Sequence, residues 1–324
     1  MKRLFLILCA AVLLTVAFSG CSVNERGQDG KINVVCTIFP QYDWVREIIG
    51  EENMDNFNLS LLIDSRVDLH SYNPSVQDIA NIKKSDVFIY IGGDSDNWVE
   101  AVLRDANPDI ITLNLVDLLG DIIIIDEHEH DEENCEEDHD HSEHEHHADE
   151  HVWLSLRNAK IICNAIADML TEIDPDNAQA YKENLEVYTA KLSALDADFM
   201  SVVNNANINT LVFADRFPFR YLMSDYGLNH YAAFSGCSAE TEASFVTIIS
   251  LANRLNQLNL GVVCVTESSD RSIARTVINN TNAKNQNILV FDSMQSVTSA
   301  DIRNGVTYLS IMENNLNILK EALK

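Results

Sequence analysis

Short apolar runs alternate with stretches of helical period along most of this chain. Residues 32–37, 87–91 and 110–113 are continuous apolar runs of strand length, as buried strands require. Between them, residues 42–49, 76–83 and 97–105 carry apolar positions at helical spacing. The second half repeats the alternation, with predicted strands at 211–214, 262–266 and 288–291 and predicted helices at 245–256, 272–279 and 306–322. β-α-β alternation predicts a parallel sheet in each half, so the expected fold class is α/β with two lobes. One long helix divides the halves. Asp174 is placed to cap it, with Pro175 at its first position. Ala178, Tyr181, Leu185, Tyr188, Leu192, Leu195, Phe199 and Val202 then follow at spacings of three and four. That is one stripe on a rigid helix of about 36 Å. A short two-stranded coiled coil is the other use such a stripe allows. A stiff helix crossing between two lobes leaves a cleft suited to a ligand that needs only to be held.

The N-terminus sets the compartment. Lys2 and Arg3 precede an apolar run, 4–18, too short to span a bilayer comfortably, and Ser19-Gly20-Cys21 follows. The end of the run resembles a bacterial lipobox. Residues 1–21 are then a signal peptide, with Cys21 lipidated and the mature chain anchored on the extracytoplasmic face of the cell membrane. A plain secretion signal is the alternative. Residues 22–31 are a polar tether, 32–173 the N-terminal lobe, 174–206 the linking helix and 207–324 the C-terminal lobe. No later segment is long and apolar enough to cross a membrane. A net charge of −28 argues against nucleic acid and anionic surfaces and favours a cationic ligand. Without a CxxC pair or an even framework, the cysteines do not form a disulfide scaffold. Cys36, Cys163 and Cys264 lie in apolar runs and read as small core residues, whereas Cys135 lies in an acidic stretch and Cys237 is ambiguous.

The acidic stretch brings in the chemistry. Eight of the ten histidines lie in residues 126–151, with 14 of the 50 acidic residues. Such a segment has no apolar period and repels itself, so it adds nothing to a core. Imidazole and carboxylate suit zinc, copper and nickel. The loop, 126–150, is therefore expected to hold metal weakly, through His128, His130, His139, His141, His144, His146 and His147. A solvated acidic loop with incidental histidines is the plain alternative.

Two other contexts matter more. His70 stands in Asp68-Leu69-His70-Ser71-Tyr72-Asn73-Pro74-Ser75, a loop before a helix. His151 stands in Asp149-Glu150-His151-Val152-Trp153-Leu154-Ser155, leading into a helix at 156–173. Both segments resemble those that carry the first two metal histidines in the zinc and manganese receptors of ABC importers. A His-rich loop just before the second histidine is typical of the zinc members. The resemblance covers essentially the whole mature chain. It implies two α/β lobes joined by one long helix, four ligands in the cleft between the lobes, and the importer's membrane permease as partner, the receptor being a monomer. The N-lobe pair carries over to His70 and His151. For the third ligand the family has a His or Glu where this chain reads Ala214-Asp215-Arg216-Phe217, so Asp215 is the candidate. Asp292, after the last strand, is the candidate for the fourth. Either could instead cap a helix, and Asp215 could pair with Arg216 or Arg220. Glu240, Glu242 and Glu267 are reserves, and His230 reads as a satisfied histidine. The expected metal is Zn2+, with Mn2+ the alternative. A zinc hydrolase is the rival class, but the chain has no HExxH, GxSxG or phosphate loop. A surface adhesin is the other reading.

Overall fold

The structure is a computed structural model that describes residues 30–65, 67–125, 148–234 and 243–324. Cys21, Cys135, Cys237, Glu240, Glu242 and the seven loop histidines expected to bind metal weakly lie outside the described residues. Among the described residues each lobe carries a four-stranded parallel sheet. In the N-lobe β1 (Ile32–Cys36), β2 (Phe57–Leu61), β3 (Val87–Tyr90) and β4 (Ile111–Asn114) are ordered β2-β1-β3-β4. In the C-lobe β5 (Thr210–Phe213), β6 (Asn229–Ala232), β7 (Val262–Thr266) and β8 (Asn287–Phe291) are ordered β6-β5-β7-β8. The central strands are the continuous apolar runs, and Val34, Val87, Ile89, Phe213 and Val263 are fully enclosed. β2 and β6 lie outside the strands expected from the apolar pattern. Both are edge strands with mixed sequences, Phe-Asn-Leu-Ser-Leu and Asn-His-Tyr-Ala, and are largely half-buried. The ordinary signal of a buried run is therefore weak in them.

A one-turn segment, Pro175–Asn177, leads into the long helix Ala178–Asn204. Asp174 precedes it, but its carboxylate accepts from the Tyr181 hydroxyl (2.6 Å) and the Asn177 side chain (2.8 Å) rather than from the helix backbone. The apolar stripe is consumed inside the chain: Tyr181, Tyr188, Leu192, Leu195 and Phe199 are buried, against the helices Leu156–Ile173, Phe39–Ile49 and Tyr308–Ala322. Burying each such ring or branched side chain contributes on the order of 2 kcal/mol. The coiled-coil alternative is thereby set aside, since no seam remains for a second copy.

The last helix, Tyr308–Ala322, returns to the N-lobe. Tyr308 donates its N–H to Asp43 (2.7 Å) and its hydroxyl to the Trp153 carbonyl (2.7 Å), and its ring meets Trp44 edge-on at 5.0 Å. One apolar cluster among the described residues consequently runs from β1 through the long helix to β8. Cys36, Cys163 and Cys264 are buried free thiols, as read from their apolar contexts. No helix among the described residues is long and apolar enough to cross a membrane.

Candidate metal centre

The N-lobe presents its site from three loops. The first carries His70 in a single turn, Leu69–Ser71, held by buried Leu69 and by Asp68, whose Oδ1 accepts the His70 N–H at 3.0 Å. A capping box between Ser75 and Asp78 starts the next helix, Val76–Lys84, and fixes the loop's far end. The second loop follows β3. Asp96 accepts from the N–H groups of Ile91 (2.8 Å) and Gly92 (3.0 Å), folding a tight turn that presents Ser95. Gly93 in that turn has φ +79°, and a Cβ there would lie 2.5 Å from Glu150 Oε1.

The third loop is the end of the acidic stretch. Ala148 bridges Ile125 in antiparallel fashion, and Asp149 donates its N–H to the Ile124 carbonyl at 2.8 Å. Asp149 and Glu150, expected to be loop, are buried instead, as is His151, at 4% exposure. Alternating acid and imidazole hid the point where the acidic run gives way to the lobe.

Both rings are held through their Nδ1 atoms. Glu150 Oε1 accepts the Ser95 N–H at 2.8 Å, and its Oε2 accepts the Ser95 hydroxyl. Ser95 Oγ, having donated, accepts from His70 Nδ1 at 2.8 Å. Asp149 Oδ1 accepts from His151 Nδ1 (3.0 Å) and from the His151 backbone N–H (2.9 Å). Each Nδ1 is hydrogen-bonded, and each Nε2 is turned toward the other ring. The two Nε2 atoms face each other 3.4 Å apart. Tetrahedral zinc with bonds of 2.0–2.1 Å requires ligand nitrogens about 3.3–3.4 Å apart. Burial, the facing His151 and Arg216 together lower the proton affinity of His70 against the pull of Glu150 and Asp68, which keeps its imidazole neutral. At Asp149 burial works upward, but the hydrogen bonds and charge of His151, with Arg220, outweigh it and hold the carboxyl low. Arg220 Nε lies 3.4 Å from Asp149 Oδ2.

The C-lobe offers carboxylates at the C-terminal ends of its strands, where α/β lobes place ligands. Asp215 follows β5. Its Oδ1 accepts the Arg216 N–H (2.8 Å), and its Oδ2 accepts the N–H (3.1 Å) and hydroxyl (3.0 Å) of Thr266. The guanidinium groups of Arg216 and Arg220 pair across the cleft instead, with Asp68 and Asp149. Glu267 follows β7 and accepts from Ser293 N–H (2.9 Å), Ser293 hydroxyl (2.9 Å) and Ser296 hydroxyl (3.0 Å). Asp292 follows β8 and accepts the Met294 N–H at 2.8 Å. Burial, and then the nearby Glu267 charge, push the Asp292 carboxyl up to about 7. A cavity of about 430 Å3 between the lobes is lined by Asp68, Ser71, Asp215, Arg216, Thr266 and Ser293, among others.

The structure thus brings His70 and His151 together. Among the described residues no third His, Cys, Asp or Glu joins them in a group able to hold a metal ion. His230 stacks on Phe217 at 4.1 Å, and burial lowers its pKa to about 4. Ser95, Asp149 and Glu150 escaped the sequence reading. A carboxylate two residues before His151 was a visible signal, while Ser95 had none.

Two α/β lobes joined by one long helix, with paired imidazoles at the cleft, define the class of two-lobed solute-binding receptors. The chain belongs to the ZnuA family, zinc-uptake complex component A, periplasmic, whose model matches residues 34–322. This family consists of receptors, not enzymes, which removes the hydrolase reading. The zinc-binding lipoprotein AdcA of Streptococcus pneumoniae is 31% identical over 99% of this chain, which spans 61% of that relative's length. The high-affinity zinc uptake system protein ZnuA of Bacillus subtilis is 30% identical over 98% of this chain and 97% of its own. The crystal structure of the Zn(II)-bound ZnuA-like domain of S. pneumoniae AdcA superposes with a TM-score of 0.70 at 26% identity, covering 91% of this chain and 99% of that one.

Proposed function

We propose that this chain is an extracytoplasmic receptor that captures Zn2+ and delivers it to the membrane permease of an ABC importer. The observation that carries the reading is the pair of Nε2 atoms facing each other 3.4 Å apart, each ring oriented by a bonded Nδ1. The names of the AdcA and ZnuA relatives support it. Asp292 is the best C-lobe ligand. A buried carboxyl raised by its acidic neighbour is relieved by a cation. Asp215 is the weaker candidate, since both its oxygens are already engaged, and Glu267 is the reserve. Two imidazoles favour zinc over manganese. Cys21 is the proposed lipid anchor and the chain is a monomer. The histidines of 128–147 collect zinc weakly.

The test is metal analysis of the purified mature protein, then competition titration with zinc and manganese. One tight zinc per chain, lost in His70→Ala and His151→Ala, is expected. Tight zinc binding that survives both substitutions would remove the metal from this cleft.

A further inference from the structure

The resemblance places a metal-ligating His or Glu after β5, and this chain has Asp215-Arg216 there. Arg216 reaches out of its own lobe. Its Nη1 contacts Asp68 Oδ2, while Asp68 Oδ1 holds the His70 backbone N–H at 3.0 Å. One carboxylate therefore links a C-lobe guanidinium to the loop that carries an N-lobe histidine. The same loop is gripped a second time, because Asp64 accepts the N–H of Ser299 at the start of the helix Ser299–Arg303. Arg216 is only half-buried and lines the cavity between the lobes, so its charge faces the space a cation must enter.

We propose that Arg216 is a charge brake on the site. A fixed cation set by the C-lobe beside His70 satisfies Asp68 when the cleft holds no metal and opposes a bound dication. Zinc is then held less tightly than its ligands alone would hold it, and release to the permease is correspondingly easier. The inference rests on the zinc-receptor reading above.

The test compares zinc affinity and the rate of zinc loss to a chelator in wild type, Arg216→Gln, Arg216→Ala and Arg216→Lys. Thermal melts establish that each variant is folded. Both neutral variants should bind zinc at least about fivefold tighter and release it proportionally more slowly in low salt. The advantage should shrink between about 0.05 M and about 0.5 M salt, as charge screening requires. Arg216→Lys keeps the charge and should stay within about twofold of wild type. Wild-type or weaker binding in both neutral variants would overturn the brake and leave Arg216 as a tie between lobes. His70→Ala runs alongside as the control on the reading itself. If it keeps tight zinc, the site is misplaced, whatever Arg216 does.

Discussion

The N-lobe and C-lobe sides of the cleft are built on different plans. On the N-lobe side each histidine has its Nδ1 tied, His70 to half-buried Ser95 and His151 to buried Asp149, and its Nε2 turned toward the other ring. On the C-lobe side each carboxylate is occupied locally: Asp215 by Thr266, Glu267 by Ser293 and Ser296, Asp292 by the Met294 N–H. The first arrangement is ready for a metal ion, because orienting the rings has already been done in folding. The second must give up hydrogen bonds, or share them, before it can coordinate. The difference predicts an order of events, with capture on the N-lobe pair and completion from the C-lobe.

The largest effect should fall on the histidines. His70→Ala or His151→Ala should weaken zinc by at least about a hundredfold in calorimetry, near 2.7 kcal/mol. An equal loss in Asp292→Ala would break the contrast between the lobes. Removing the groups that orient the rings comes next. Asp149→Ala and Glu150→Gln should each weaken zinc by about tenfold. Gly93→Ala, which crowds Glu150, should follow Glu150→Gln in direction. Wild-type affinity in all three would mean that the rings need no preset orientation. Within the C-lobe, Asp292→Ala should weaken zinc more than Glu267→Ala does. The opposite ranking in a chelator competition moves the fourth ligand to Glu267.

A smaller effect tests the buried acid without metal. The Asp292 carboxyl is raised from 3.8 to about 7, so its folded-state stability is full below pH 4 and is lost as pH rises through 7. With chelator present, Asp292→Asn should match wild type at pH 4.5 and exceed it at pH 8, on the order of 2 kcal/mol. A constant offset at both pH values would show that Asp292 does not carry this penalty. The smallest effect on the tight site should come from deleting 128–147. Several weak zinc equivalents should vanish while the melt and the tight site persist. Extending the deletion through Glu150 should damage the tight site as well, since Asp149 and Glu150 orient its histidines.

What the sequence made legible follows from which residues carry their signal locally. β1, β3, β4, β5, β7 and β8 are short runs dominated by apolar residues, and the stripe on the long helix is periodic, so pattern alone located them. β2 and β6 carry mixed sequences, Phe-Asn-Leu-Ser-Leu and Asn-His-Tyr-Ala, in which polar residues break the apolar run. The meeting of His70 with His151 was legible because each sits in a distinctive segment. Ser95 acts through a fold that brings it 25 positions along the chain to His70, and nothing local to it announces that. Asp149 and Glu150 were masked by the composition around them.

The return of the helix Tyr308–Ala322 onto the N-lobe has a consequence for how the molecule comes apart. The chain leaves the N-lobe by one helix and comes back by another, and the apolar cluster between them is continuous. Neither lobe is then a free-standing cooperative unit. Calorimetry on the metal-free protein should record one unfolding transition, with van't Hoff and calorimetric enthalpies in agreement. A fragment ending at residue 206 would leave Trp44 and Asp43 without Tyr308, and should expose apolar surface to a dye such as ANS rather than fold alone.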